Sequence, residues 1–336
     1  MSLKHLLVII LNILLLTLLL INTNGTLANQ NTSISSHDVK ITTTMNYLGN
    51  FANALLREHG SVESIISGSI DPHFFEPSAS DLINLQEADV ILAIGHEQID
   101  QWLTDFIQDN PNLAPKVFNV INLETILEYD PIIEAENPHF WLSPINALIM
   151  VENIKNHFED LDLLESEILD TNFALYESEL QSLLTEIEQA SQLYNGTKVV
   201  VDHPAFFYFL DLLGFERMGA IEEHEGVDPS PLHIQELTNL MKKENINLII
   251  ASKTQAGSDV DQLASNTGAK IAFLTPLPGI EGAEIYTKMI RYNLNSLKNP
   301  SEPAKQDDLN IQSFFIGITL VTLIFVRKLS TKYVDR

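Results

Sequence analysis

Three of the ten histidines in this chain share one local setting. His73 lies in Gly68-Ser-Ile-Asp-Pro-His-Phe-Phe-Glu-Pro77, His139 in Asn137-Pro-His-Phe-Trp-Leu-Ser-Pro144, and His203 in Val199-Val-Val-Asp-His-Pro-Ala-Phe-Phe-Tyr208. Each has a proline as immediate neighbour, namely Pro72, Pro138 and Pro204. Proline fixes its own φ and restricts the residue before it, so each imidazole is mounted on a stiffened loop. A single His–Pro pair reads as a loop residue bonded to backbone. Three in one chain read as a metal site, because converging neutral imidazoles bind Zn²⁺ well, at Zn–N distances of roughly 2.0–2.1 Å. Such ligands must be deprotonated, so binding is expected to weaken below about pH 6. Asp202, beside His203, faces the other way at a strand end and is expected to serve the backbone.

Composition excludes several other chemistries. There is no cysteine, which removes disulfides, thiolate zinc sites, Fe–S clusters and Cys nucleophiles. Any metal here is held by nitrogen and oxygen. The formal net charge of −26 repels phosphate backbones and argues against nucleic acid as a partner. Gly95-His-Glu-Gln-Ile-Asp100 begins like a zinc-protease HExxH, but Asp100 stands where the second histidine is required, and the segment reads as a turn at a strand end. No G-x-S-x-G, P-loop or G-x-G-x-x-G run is present. Asn24, Asn31 and Asn195 begin N-glycosylation tripeptides, a common chance pattern.

The elements that must position the histidines alternate. Short β-branched runs at 61–70, 90–94, 117–121, 198–201, 248–251 and 270–274 are separated by helical periods at 45–58, 78–86, 144–158, 205–213 and 231–244. That pattern predicts an α/β fold with mainly parallel sheets flanked by helices. Residues 161–194 contain no Gly or Pro and keep apolar residues at i, i+3, i+4 and i+7, which predicts one helix about 50 Å long. The expected organisation is an N-terminal lobe (37–160), a rigid connecting helix (161–195) and a C-terminal lobe (196–300). In open parallel sheets ligands bind beyond the carboxyl ends of the strands, where His73 and His203 fall.

Both ends read as segments outside the fold. Residues 1–28 carry Lys4, an apolar run from Leu6 to Ile21 and then small residues, the pattern of a secretory signal peptide. Near the other end, 301–310 reads as a linker and 311–326 (IQSFFIGITLVTLIFV) as a transmembrane helix. Its sixteen residues would span about 24 Å. Arg327, Lys328, Lys332 and Arg336 mark 327–336 as a cytoplasmic tail. The expected localisation is therefore extracytoplasmic, with a C-terminal membrane anchor.

With these motifs in place the chain resembles the metal-binding solute-binding proteins of ABC importers, the zinc/manganese cluster. The resemblance rests on Asp71-Pro-His-Phe-Phe-Glu-Pro77 with Asp81, on Ala88-Asp-Val-Ile-Leu-Ala-Ile-Gly95 leading to Trp102, and on Asn137-Pro-His-Phe-Trp-Leu-Ser-Pro144. The long connector, Asp202-His-Pro-Ala-Phe-Phe-Tyr208 and Glu281–Asn293 complete it, so that it runs over nearly all of 38–298. It implies two α/β lobes with one metal ion bound between them, and ligand positions at His73, His139 and His203. A histidine at the third position points to Zn²⁺ over Mn²⁺ or Fe²⁺. The fourth ligand of the family is an Asp, and its place here is taken by Thr275. Water, or a carboxylate of Glu222-Glu-His-Glu225, with Glu223 the foremost candidate, is expected instead. The His-rich loop common in zinc-type members is absent, since 128–136 reads EYDPIIEAE. The implied partners are an ABC permease and its ATPase subunit, the membrane through the C-terminal helix, and no second copy of the chain. The rival reading is a surface-anchored metallohydrolase with a three-His zinc and Glu223 as general base. An adhesin with a structural metal is a third.

Overall fold

The computed structural model describes residues 39–303, apart from 69, 123 and 223–225. All of them fall in one compact unit that begins at Val39. The first sheet contains β1 (Val39–Met45), β2 (Gly60–Ile66), β3 (Val90–Ala93) and β4 (Val117–Asn119), in spatial order β2-β1-β3-β4. Its pairings are all parallel. Helices α1 (Asn46–Leu56), α2 (Ala79–Glu87) and α3 (Glu97–Asp109) connect its strands. A two-stranded hairpin, β5 (Tyr129–Asp130) and β6 (Ala135–Glu136), follows, then α4 (Pro144–Asp160) and the long α5 (Ser166–Tyr194). The second sheet contains β7 (Lys198–Val201), β8 (Glu216–Ala220), β9 (Leu248–Ser252) and β10 (Lys270–Leu274), ordered β10-β9-β7-β8 and again all parallel. It is served by α6 (Phe207–Leu212), α7 (Pro231–Glu244) and α8 (Ser258–Thr267), and α9 (Tyr286–Lys298) is the last helix among the described residues.

Local chemistry accounts for the boundaries. Ser78 and Asp81 form a reciprocal capping box at the start of α2. Ser143 and Ser230 cap α4 and α7, each followed by a proline at the first helical position. In β1 the last five residues are all buried, as expected of a parallel strand covered on both faces.

The long helix differs from the sequence expectation at its start. Residues 161–165 leave the helical path: Asp162 adopts φ 50°, and the Leu163 amide turns back to the Phe158 carbonyl at 3.1 Å. From Ser166 onward, Leu169, Asn172, Tyr176, Leu180, Leu183, Ile187 and Ala190 form one buried stripe at three- and four-residue spacing. That stripe packs on α1, where Asn172 donates to the Leu55 carbonyl at 2.8 Å. On α9, Arg291 reaches Glu186 at 2.9 Å and Thr287 reaches Glu179 at 2.7 Å.

One hydrophobic cluster takes in residues from both sheets, Ile41 and Ile91 with Val201 and Leu274, together with Trp141 and Tyr286. A smaller one lies between the second sheet and α7 and α8, around Val200, Ile249, Met241 and Leu263.

The membrane part of the sequence reading is corrected. Among the described residues no helix is long and apolar enough to cross a membrane. The longest, α5, carries glutamates along its exposed side and is amphipathic rather than apolar all round. The C-terminal transmembrane helix at 311–326, and with it the anchored localisation and the membrane partner, has no support from the fold. That segment, residues 304–310 of the linker, the tail, and the signal peptide at 1–28 lie outside the described residues, whereas Ser301, at the start of the expected linker, still pairs with Ile271 of β10.

Candidate metal centre

His73, His139 and His203 come together. Each offers a ring nitrogen, and the three nitrogens lie within 4.8 Å of one another. His73 Nε2 and His139 Nε2 are 3.2 Å apart. Two nitrogens bound to one tetrahedral Zn²⁺ at about 2.05 Å would stand about 3.3 Å apart, so this spacing already fits the edge of such a site. His73 sits in a one-turn 3₁₀ helix (Pro72–Phe74) beyond β2. His139 immediately precedes a similar turn, Phe140–Leu142, and His203 follows β7. His139 and His203 are buried, and His73 is partly so.

Two of these loops are built alike. Asp71 Oδ1 accepts the His73 amide at 2.9 Å, and Asn137 Oδ1 accepts the His139 amide at 2.9 Å. Both are Asx-type turns, in Asp-Pro-His and Asn-Pro-His, in which the short side chain bonds to the backbone two residues on. The recurrence of Asx-Pro-His, at 71–73 and 137–139, is the sequence signal for this geometry.

Hydrogen bonding sets which nitrogen faces the centre. Asn137 Nδ2 donates to Asp130 Oδ2 (2.8 Å) and to the Pro204 carbonyl (2.9 Å), both acceptors only, so its Oδ1 must face His139 Nδ1, 3.1 Å away. His139 Nδ1 is thus the protonated nitrogen, and the lone pair of Nε2 points into the cluster. Asp130 is itself held by a buried two-pronged ion pair from Arg217, at 2.7 and 2.9 Å. The Asn137–Pro204 bond joins the His139 loop to the residue after His203. Glu222 Oε2 lies 2.9 Å from His203 Nδ1, with the same consequence for that ring. Asn137, Asp130 and Glu222 were not assigned these roles from sequence: Asn137 is only two residues from His139, but Asp130 is held by Arg217, 87 residues away, and Glu222 is 19 residues from His203.

Burial is the main cause that lowers the pKa of His73, to about 4, with the neighbouring His203 and His96 adding to it against the pull of Asp71 and Glu222. His139 is held well below its ordinary value, again chiefly by burial. Both are neutral in the metal-free fold at pH 7, as a metal ligand must be. Burial thus keeps these two histidines unprotonated well below the pH at which unperturbed imidazole takes up a proton. The sign for stability follows. In the unfolded chain these histidines take up protons near pH 6.5. In the fold they do not until much lower pH, so acid favours the unfolded chain. The thermal midpoint of metal-free protein should fall as pH drops from 6.5 towards 4, at up to about 1.4 kcal/mol per pH unit for each histidine. His139→Ala should fall less steeply. A midpoint slope identical in that variant would show that His139 is not the source.

Thr275 is buried and does not offer a free hydroxyl: Oγ1 donates to the Leu277 carbonyl at 2.7 Å, and its amide and carbonyl bond to Asn293. Glu223 lies outside the described residues. Asp202 keeps its backbone bonded between strands, its amide to Ile250 and its carbonyl to Glu222. Its carboxyl, pushed up to about 6 mainly by burial, lines an acidic cavity of ≈ 350 Å³ beside His203 with Asp71, Glu222, Asp228 and Asp259. The segment 95–100 proves to be the start of α3, where buried Asp100 accepts the Gly95 amide at 2.8 Å.

Comparison with known proteins gives this arrangement a family. Residues 41–300 match the family described as zinc-uptake complex component A, periplasmic (ZnuA). The manganese-binding lipoprotein MntA of Halalkalibacterium halodurans is 25% identical over 273 residues, covering 79% of this chain and 89% of that protein. The high-affinity zinc uptake system protein ZnuA of Bacillus subtilis is 25% identical over 276 residues, covering 77% and 86%. Among solved structures, the Zn(II)-bound ZnuA-like domain of Streptococcus pneumoniae AdcA superposes with a TM-score of 0.65 at 26% identity, covering 79% of this chain and 99% of that one. These relatives are named for the metal they bind or take up and none as a hydrolase or an adhesin, so neither a metallohydrolase nor an adhesin is supported. With a family match over residues 41–300, and with three histidines converging from one loop of each parallel sheet and from the turn before α4, this chain is a member of the ZnuA family of periplasmic metal-binding proteins of ABC uptake systems.

Proposed function

We propose that this chain captures one divalent transition metal outside the cytoplasm, Zn²⁺ foremost, through His73, His139 and His203, and hands it to an ABC permease coupled to an ATPase subunit. The convergence of the three ring nitrogens within 4.8 Å is the observation that carries the reading. An all-imidazole set favours Zn²⁺ over Mn²⁺, which prefers more oxygen. Water takes the fourth position in this reading, with a carboxylate such as Glu223 as the alternative, since the Thr275 hydroxyl and Glu222 are already engaged. The two sheets act as the two lobes (37–160 and 196–300), with the connecting helix (161–195) as a stiff spine. Three uncharged ligands and a labile water allow the ion to be withdrawn stepwise when the permease disturbs one loop.

Native mass spectrometry of the purified protein, without a His tag and after exposure to equimolar Zn²⁺, Mn²⁺ and Fe²⁺, tests this. One zinc per chain, absent from His203→Ala, is the expected result. Manganese retained as well as zinc, or no metal at all, would refute the zinc assignment.

A further inference from the structure

We infer that Glu222 is the positioning residue of this centre, supplying from behind His203 the negative charge that a direct carboxylate ligand would otherwise bring; the inference rests on the ligand set proposed above. Glu222 stands two residues beyond the end of β8, beside the strand end that carries His203. It is fastened there twice. Its amide donates to the Asp202 carbonyl at 2.9 Å, and its carboxylate takes two donors, His203 Nδ1 at 2.9 Å on Oε2 and the Gly226 amide on Oε1. Only a carboxylate accepts on both oxygens at once. Glutamine would turn an NH₂ towards one of the two donors, and aspartate is one methylene shorter.

The second fastening reaches the other side of the centre. Gly226 has φ +70°, and a Cβ there would collide with the Phe74 ring. Phe74 is the neighbour of His73, so Glu222 connects the loop of one ligand to the seat of another. A carboxylate that accepts the second ring proton of a metal-bound histidine fixes its tautomer and raises its basicity, and loss of such a partner weakens metal binding by roughly 10–100-fold. Here the contribution stands out because Thr275 occupies the place where the resemblance leads one to expect an anionic ligand.

The test compares wild type, Glu222→Ala, Glu222→Gln and His203→Ala by Zn²⁺ affinity in chelator competition and by the ¹⁵N signals of the His203 ring in metal-free protein. Glu222→Ala should bind about 10–100-fold more weakly and lose the single Nδ1–H tautomer. Glu222→Gln, which can still accept that proton, should restore the tautomer while recovering only part of the affinity. It also guards against a fold lost in the alanine variant. Affinity within about threefold of wild type in Glu222→Ala, with the tautomer unchanged, overturns the positioning role. If His203→Ala itself binds as wild type does, the ligand set falls and this inference falls with it.

Discussion

Replacing His139 by alanine should weaken Zn²⁺ binding by on the order of 10²–10³-fold and leave the fold in place. Structural zinc sites bind with about 10–16 kcal/mol shared over four positions, roughly 3–4 kcal/mol for each, and every 1.4 kcal/mol is tenfold. His139 is the most informative of the three because its surroundings are the most fixed. Its ring packs on Trp141 with centroids 5.2 Å apart, and its Nδ1 is directed at Asn137. The alanine variant keeps the main-chain bond from residue 139 to Asn137, as well as the anchors of Asn137 on Asp130 and Pro204. Trp141 remains bonded to the Pro276 carbonyl at 2.8 Å. The loop should therefore stand while one ligand is missing. Chelator competition reads the affinity, and circular dichroism reads the fold. Wild-type affinity in this variant would remove His139 from the centre. Collapse of the metal-free variant would show instead that the imidazole holds the core together.

The three histidines that converge were legible in the sequence because each sits beside a proline at the end of a strand or the start of a helix, and local sequence carries that information. The strands at 198–201 and 270–274 were legible for the same reason, as runs of apolar residues bounded by turns. Three features were not. The first strand, Val39–Met45, contains Thr42, Thr43 and Thr44 in a row, all buried, and neither alternation nor a continuous apolar run marks it; its neighbours on both sides decide its state. The break at 161–165 carries no glycine or proline; Asp162 turns the chain in a left-handed conformation that a short polar side chain tolerates. The outer partners of the histidines were hidden for a different reason. Arg217 is 87 residues from Asp130, and Glu222 is 19 from His203, so only the folded sheet brings them together. Glu222 belonged to an acidic cluster already singled out. Which of its carboxylates would matter depended on the exit of β8, a strand that hydrophobic pattern alone did not reveal.

Saturating Zn²⁺ should raise the thermal midpoint of the protein by about 8–16 °C. A ligand at a thousand times its Kd, bound only by the folded state, stabilises by about 4.1 kcal/mol. Each kcal/mol is worth about 2–4 °C in a domain of this size. The shift should appear in one transition rather than two. The ligands come from loops of both sheets, and a single hydrophobic cluster spans the two, with Ile41 and Ile91 from one and Val201 and Leu274 from the other. Tyr286, on α9, bonds to the Trp141 carbonyl at 2.7 Å and packs on Phe51 with centroids 5.1 Å apart. Unfolding one sheet would strip that shared core, so the metal stabilises both at once. Calorimetry with Zn²⁺ and then with excess EDTA checks the size and the shape of the change. Two resolved transitions, only one of them moved by zinc, would mean that the sheets unfold separately and that the shared core is weaker than its burial implies. A shift under about 2 °C at saturation would contradict binding at this strength. In His139→Ala the same zinc concentration should move the midpoint far less, and that difference ties the stabilisation to the three-histidine centre rather than to zinc adsorbed on an acidic surface.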